Sequence, residues 1–421
     1  MKKTLILLST ALAFGACTSE PELVLPDTTP VAQTTEPGGL RSVEEAIDIA
    51  SRAMTSLYPA TVESRTLTRH ASPEKTAIVT GASSRAGETD TLLYVVNFDD
   101  NKGYAIITAH PSDDDVLAVV GSGSYDPEQG TENPGLNLFM ERAVAYSSTI
   151  IIPPFEKDVP PKMVIDTLMY YHCNSRLGDL SWGVNGIYGM YAPNNIAGCA
   201  PSAIATMVTY FNWFENQIPV MNYTYPAADI KSEKMDWAQL YSHKYVDTYD
   251  KVTGTWRYHR CFQKDPEASH KTIARLMRQI GHDAGSIYGL SKTSTTLEQA
   301  RNVIVKYLPE LDVTPIKDFD SKYVTSVLDR GFVFLMAFNS TEPHMWLGTA
   351  YDLLKVRIRG YEWDYTNKVY VLRQDEEKYY SMTYMHWGWN GLDDGWFNDN
   401  VFKTRYGTFS GTRYIGVSWK K

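Results

Sequence analysis

The chain is poor in the features that mark several protein classes. It has four cysteines, Cys17, Cys173, Cys199 and Cys261, and none has another at the short spacing of structural zinc sites. His172-Cys173 and His259-Arg260-Cys261 therefore read as thiols and imidazoles, not as a metal centre, and no disulfide framework is expected to hold the fold. No GxGxxG and no GK[ST] phosphate loop occurs, and Asp113-Asp114-Asp115 and Asp393-Asp394 lack the alternating acidic loop of a calcium site, so they read as solvated turns. No cofactor is expected. Positive charge is also short: 40 Lys+Arg stand against 49 Asp+Glu, a net charge of −9, which argues against a nucleic-acid partner. No apolar run reaches the about 20 residues a membrane-spanning helix needs.

What is present begins at the amino terminus. Lys2-Lys3 precede an apolar run, Thr4 to Ala16, and the run ends Phe14-Gly15-Ala16-Cys17. Basic start, short apolar stretch and small residues before a cysteine resemble a bacterial lipoprotein signal. The expectation is a signal peptide over 1–16, a lipid on Cys17, a Thr/Pro/Glu/Gly-rich tether over 17–40, and an exported protein at the outer membrane or cell surface, or released from it. Three cysteines then remain, an odd number, so at least one thiol should be free.

Ser42 and Glu45 form a capping-box pattern before Val43, Ala46, Ile47, Ala50 and Met54, which predicts an amphipathic helix. Thr91 to Phe98 and Tyr104 to Ala109 read as a hairpin, with a further strand over 116–120. This small α+β unit, 41–152, is followed by a proline-interrupted, charged linker over 153–162. In the region 163–421 helices come first: one after Cys199, one over 272–280 ending at Gly281, one over 297–308. Strands follow at 332–338, 345–350, 356–359, 369–373, 379–385 and along the tail from 406 to 419. The fold class expected is α+β.

Gly198-Cys199-Ala200-Pro201 places a cysteine where an apolar helix begins, and the partial positive charge of a helix start favours thiolate. A small buried cysteine packing that helix would read the same way. His344 stands where a polar loop gives way to a strand, 145 residues beyond Cys199, inside the interval of roughly 130–150 residues found in papain-like peptidases. The segment Met385-His386-Trp387-Gly388-Trp389-Asn390-Gly391 then sets two indoles around one glycine.

Taken in that order, these motifs resemble the streptopain family of papain-like cysteine peptidases, which shows a Gly-Cys nucleophile helix, a histidine opening a strand and an Asn-Trp-Gly-Trp-Gly-Gly segment. The likeness extends over about 42–421. It implies a papain-like fold, a helical half plus an antiparallel β half, preceded by a small α+β prodomain that inhibits it intramolecularly. It also implies protein or peptide substrates, Cys199 as nucleophile, His344 as general acid and base, and Trp387 shielding His344. Two positions depart from the family pattern. Its Trp-Gly-Gln, whose glutamine donates to the oxyanion, reads Trp182-Gly183-Val184-Asn185 here, leaving Asn185 as the candidate donor beside the Cys199 N–H. Its asparagine before the first Trp is His386, so an imidazole or a backbone carbonyl must orient His344. A binding protein that kept the cleft and lost turnover is the rival reading, and a non-proteolytic acyltransferase or amidase a third.

Overall fold

The computed structural model describes residues 40–58, 76–82, 89–111, 115–148, 162–173, 175, 177, 180, 182–215, 223–225, 230–233, 247–250, 255–258, 266–339, 342–403 and 411–420. The expected signal peptide, nearly all of the tether, Cys17, the linker apart from Lys162, and Cys261 lie outside the described residues.

The expected leader helix is α1 (Val43–Leu57), where Ser42 Oγ accepts the Glu45 N–H at 3.2 Å and Ala46, Ile49, Ala50, Met54 and Leu57 turn inward. Strands β1 (Thr76–Ala82), β2 (Thr89–Asn97), β3 (Tyr104–Thr108) and β4 (Val116–Val120) follow in antiparallel order. A second leader helix, α2 (Pro134–Ser147), is not among the helices expected from the sequence. Buried residues lie around much of its circumference, including Leu136, Leu138, Phe139, Met140 and Ala143, so it carries no one-sided apolar stripe.

Past the linker, β5 (Lys162–Cys173) leads to the helix that begins at Cys199, α3 (Cys199–Glu215), then α4 (Pro266–Asp283), α5 (Leu297–Tyr307) and α6 (Ser321–Leu328). Gly281 does not end α4. The helix runs to Asp283 and stops where Gly285 takes φ +62°, while Gly281 makes room for the Tyr288 hydroxyl. Strands β6 (Gly331–Phe338), β7 (Pro343–Asp364), β8 (Val369–His386), β9 (Gly395–Asn398) and β10 (Arg413–Trp419) complete the β half, with the short helix α7 (Asn400–Lys403) before the last. The four short strands expected between 345 and 385 are two long ones. Bulges at Gly348/Ala350 and Gly360/Tyr361 let β7 and β8 pair from Leu347↔His386 to Asp364↔Val369.

The large sheet runs in the order β1-β2-β3-β4-β9-β8-β7-β6-β10, then Leu311–Val313, and β5 pairs with β7 beside this path. Strand β4 pairs antiparallel with β9 through Val120↔Gly395, Val119↔Trp396 and Ala118↔Phe397, so one sheet crosses from the unit 41–152 into the region 163–421. The core does the same: Leu136 and Phe139 of α2 belong to one apolar cluster with Trp346, Trp387 and Phe397. On the other side of the sheet α3, α4 and α5 pack on Phe332, Phe334 and Leu347.

Candidate active site

Helix α3 starts at Cys199 because Gly198 holds φ +98°, a conformation that side-chain-bearing residues rarely adopt, and because a Cβ there would meet the Thr293 side chain at 3.0 Å. Residues 200–212 of the helix are buried on every side, and Ser202 N–H closes the first turn on the Gly198 carbonyl at 3.1 Å. The backbone N–H groups of Met345, Ala200 and Cys199 lie near the sulfur and favour its charged form. Met345 follows His344 in β7, so the sulfur meets the strand one residue from the imidazole. The thiolate expected from the helix start is not the resting state here. Burial pushes the thiol up, the Glu342 charge adds to that rise, and the three N–H donors do not offset it.

His344 is buried, 4% exposed, and burial lowers it to about 4. Its Nε2 lies 3.1 Å from the Trp387 carbonyl. A carbonyl only accepts, so Nε2 carries the hydrogen and the neutral ring keeps its lone pair on Nδ1. Among the described residues no hydrogen bond joins Sγ to that ring. The indole lying parallel to the imidazole is Trp346, with centroids 5.9 Å apart and planes at 10°, whereas Trp387 is tilted by 37° at 6.4 Å. Trp387 thus orients His344 chiefly through its main chain. Trp346 is absent from the sequence-based candidates, although two positions after His344 on a strand means the same face.

His386, expected as the alternative orienting group, is engaged elsewhere. Its Nε2–H donates to the Leu180 carbonyl at 2.6 Å, and the same nitrogen lies 3.6 Å from Asp394 Oδ2. The acidic pair that reads as a solvated turn is buried instead. Asp394 Oδ1 accepts the Trp387 N–H at 2.9 Å, and the Asp393 carbonyl accepts the Trp387 indole N–H at 3.0 Å. The Asp393 carboxylate receives Tyr104 Oη (2.9 Å), Thr131 Oγ1 (3.2 Å) and Asn133 Nδ2 (3.3 Å), all from the leader. Burial raises the carboxyl groups of both aspartates. Gly135 of α2 lies flush on the indole, since a Cβ there would stand 2.2 Å from Trp387 Cε3.

Val184 is buried and brings no donor, and its carbonyl accepts the Ala197 N–H at 2.8 Å. Asn185 is exposed, with no side-chain capping bond to the short helix Gly186–Gly189 that follows it. Asn390, to which the sequence motifs assign no role, lies with its carboxamide against Gly183. Cys199 is a free cysteine, whereas Cys173, expected to be a thiol, is disulfide-bonded. His172 Nδ1 is 2.9 Å from Asp352 Oδ1. Among the described residues no cluster of three or more His, Cys, Asp or Glu side chains is placed to hold a metal ion.

A cysteine at a helix start and a neutral imidazole whose tautomer is set by a main-chain oxygen are the groups that thiol acyl transfer uses, here on an α+β scaffold. Residues 182–397 match the model of the peptidase C10 family, and the chain belongs to that family, the streptopain family of cysteine peptidases. In fold it is similar to a fragment of prointerpain A from Prevotella intermedia, with a TM-score of 0.50 and 14% identity over 82% of this chain and 100% of that one. No curated protein matches it.

Proposed function

We propose that the chain is an exported, lipid-anchored zymogen whose mature form hydrolyses peptide bonds with Cys199 as nucleophile and His344 as acid and base. The observation that carries this reading is the state of His344: Nε2–H is held by the Trp387 carbonyl, which leaves Nδ1 as the ring's proton acceptor on the strand where Met345 N–H meets the sulfur. In the reaction Nδ1 takes the thiol proton and the sulfur bonds to the scissile carbonyl carbon. The resulting oxyanion is stabilised by the Cys199 N–H. As the C–N bond breaks, the imidazolium returns its proton to the leaving amine. Water, deprotonated by Nδ1, then hydrolyses the thioester and restores the thiol.

The leader, 41–152, acts as the intramolecular inhibitor, and cleavage within 153–162 followed by release of the leader relieves it. Supporting this, Tyr104, Thr131 and Asn133 of the leader hold the same turn that positions Trp387. A signal over 1–16 and a lipid on Cys17 would hold the enzyme outside the cytoplasm. Val184 favours the rival reading of a binding protein without turnover. Hydrolysis of a peptide pool by the wild type, lost in Cys199→Ala and in His344→Ala, is the expected result. Alkylation of Cys199 by iodoacetamide should slow in the His344 variant. Turnover by Cys199→Ala equal to that of the wild type would overturn the enzymatic reading.

A further inference from the structure

The peptidase reading leaves the oxyanion with one evident donor, the Cys199 N–H, because Val184 has none to give and the Asn185 side chain is exposed. The geometry points to Asn390 as the second oxyanion donor, its carboxamide supplying from the Trp389-Asn390 turn what position 184 lacks. This assignment rests on the peptidase reading of the site.

Asn390 lies across the main chain of Gly183. Its Oδ1, Cγ and Nδ2 stand 2.3, 2.8 and 2.9 Å from the point a Cβ on residue 183 would occupy, so only glycine admits the carboxamide there. The strip that carries Gly183 is tied to the start of the nucleophile helix from both sides. Ser202 Oγ, one turn into α3, donates to the Gly183 carbonyl at 3.0 Å, and Ala197 N–H donates to the Val184 carbonyl at 2.8 Å. The same turn also borders His344, since the Trp387 carbonyl that holds the imidazole is three residues before Asn390. The carboxamide therefore lies on a strip tied to the start of α3 and on the turn whose Trp387 carbonyl holds His344.

Two further observations bear on it. Asn390 Oδ1 is buried with no hydrogen-bond partner among the described residues, so this end of the carboxamide is not committed to another group of the fold. Rotation about the last side-chain bond exchanges Oδ1 for Nδ2 and presents a donor at the same place. The backbone there also holds φ +57°, which glycine adopts more easily than asparagine. The streptopain segment Asn-Trp-Gly-Trp-Gly-Gly has glycine at this position. The chain thus lacks an amide at 184 and carries one at 390, against the glycine next door.

The test uses the full-length protein and its Asn390→Gly variant, each assayed after cleavage within 153–162 and release of the leader. Glycine suits the backbone, so thermal unfolding should occur at or above the wild-type temperature. The expected loss is about 10²–10³ in kcat for peptide-amide hydrolysis, the usual effect of one missing oxyanion donor, with KM little changed. Affinity for a peptide aldehyde, whose thiol adduct bears the same oxyanion, should fall in parallel. Alkylation of Cys199 by iodoacetamide creates no oxyanion and should keep its rate. Val184→Gln added to Asn390→Gly should recover part of kcat. Wild-type turnover that Asn390→Gly matches, or alkylation slowed as much as turnover, would overturn the Asn390 assignment alone. Absence of turnover in the wild type would overturn the peptidase reading and this one with it.

Discussion

At the scale of single residues, buried titrating groups decide how the site behaves. His344 has an ordinary value of 6.5 and titrates at about 4 in the fold. Between those values the unfolded chain binds more protons, so stability is fully present above pH 6.5 and is lost as the pH falls toward 4. Asp393 acts in the opposite sense, because its carboxyl is raised: its contribution is lost as the pH rises through the folded value. Comparing urea midpoints of the wild type and His344→Gln isolates the histidine, and the acid-side slope should flatten in the variant. The helix start at Gly198-Cys199 and the strand that carries His344 were readable, because both signals are local. The group orienting His344 was not, since a main-chain carbonyl has no side-chain signature. The thiol's neutrality was not legible either, because desolvation depends on what packs over Cys199 and not on the helix start alone.

Among the elements, α2 and the 387–394 turn form the joint between leader and site. Gly135 touches the Trp387 indole, so Gly135→Ala forces a methyl group into a rigid ring, an overpacking that costs typically about 1–3 kcal/mol. Asp393→Ala leaves the Tyr104 hydroxyl without its acceptor inside the fold, with a cost of similar size, about 1–3 kcal/mol. Both variants should activate faster than the wild type, measured as the lag before peptide hydrolysis begins. Helices α1, α3 and α5 could be read from caps and periodicity, whereas α2, buried around much of its surface, could not. The long β7 and β8 were broken into pieces by polar stretches such as Asp375-Glu376-Glu377-Lys378, which in a strand with a solvated face are no interruption.

For the whole molecule, the leader and the peptidase region were legible as two compositional units, but their shared sheet was not. Pairing between Val120 and Gly395 spans 275 residues of chain, and no local pattern announces it. Cutting the linker therefore should not by itself separate the parts. After limited proteolysis in the linker, leader and enzyme should co-elute in gel filtration at neutral pH and part only under mild denaturant. Early dissociation on cleavage would contradict this.

The β4–β9 pairing has one more outcome. Once the leader departs, Gly395–Asn398 becomes a bare border of the sheet, with amide and carbonyl groups facing water and Trp396 and Phe397 uncovered. A border of that kind welcomes any extended segment offered to it. The freed enzyme inherits a sticky seam in the same place where its guardian was once stitched on.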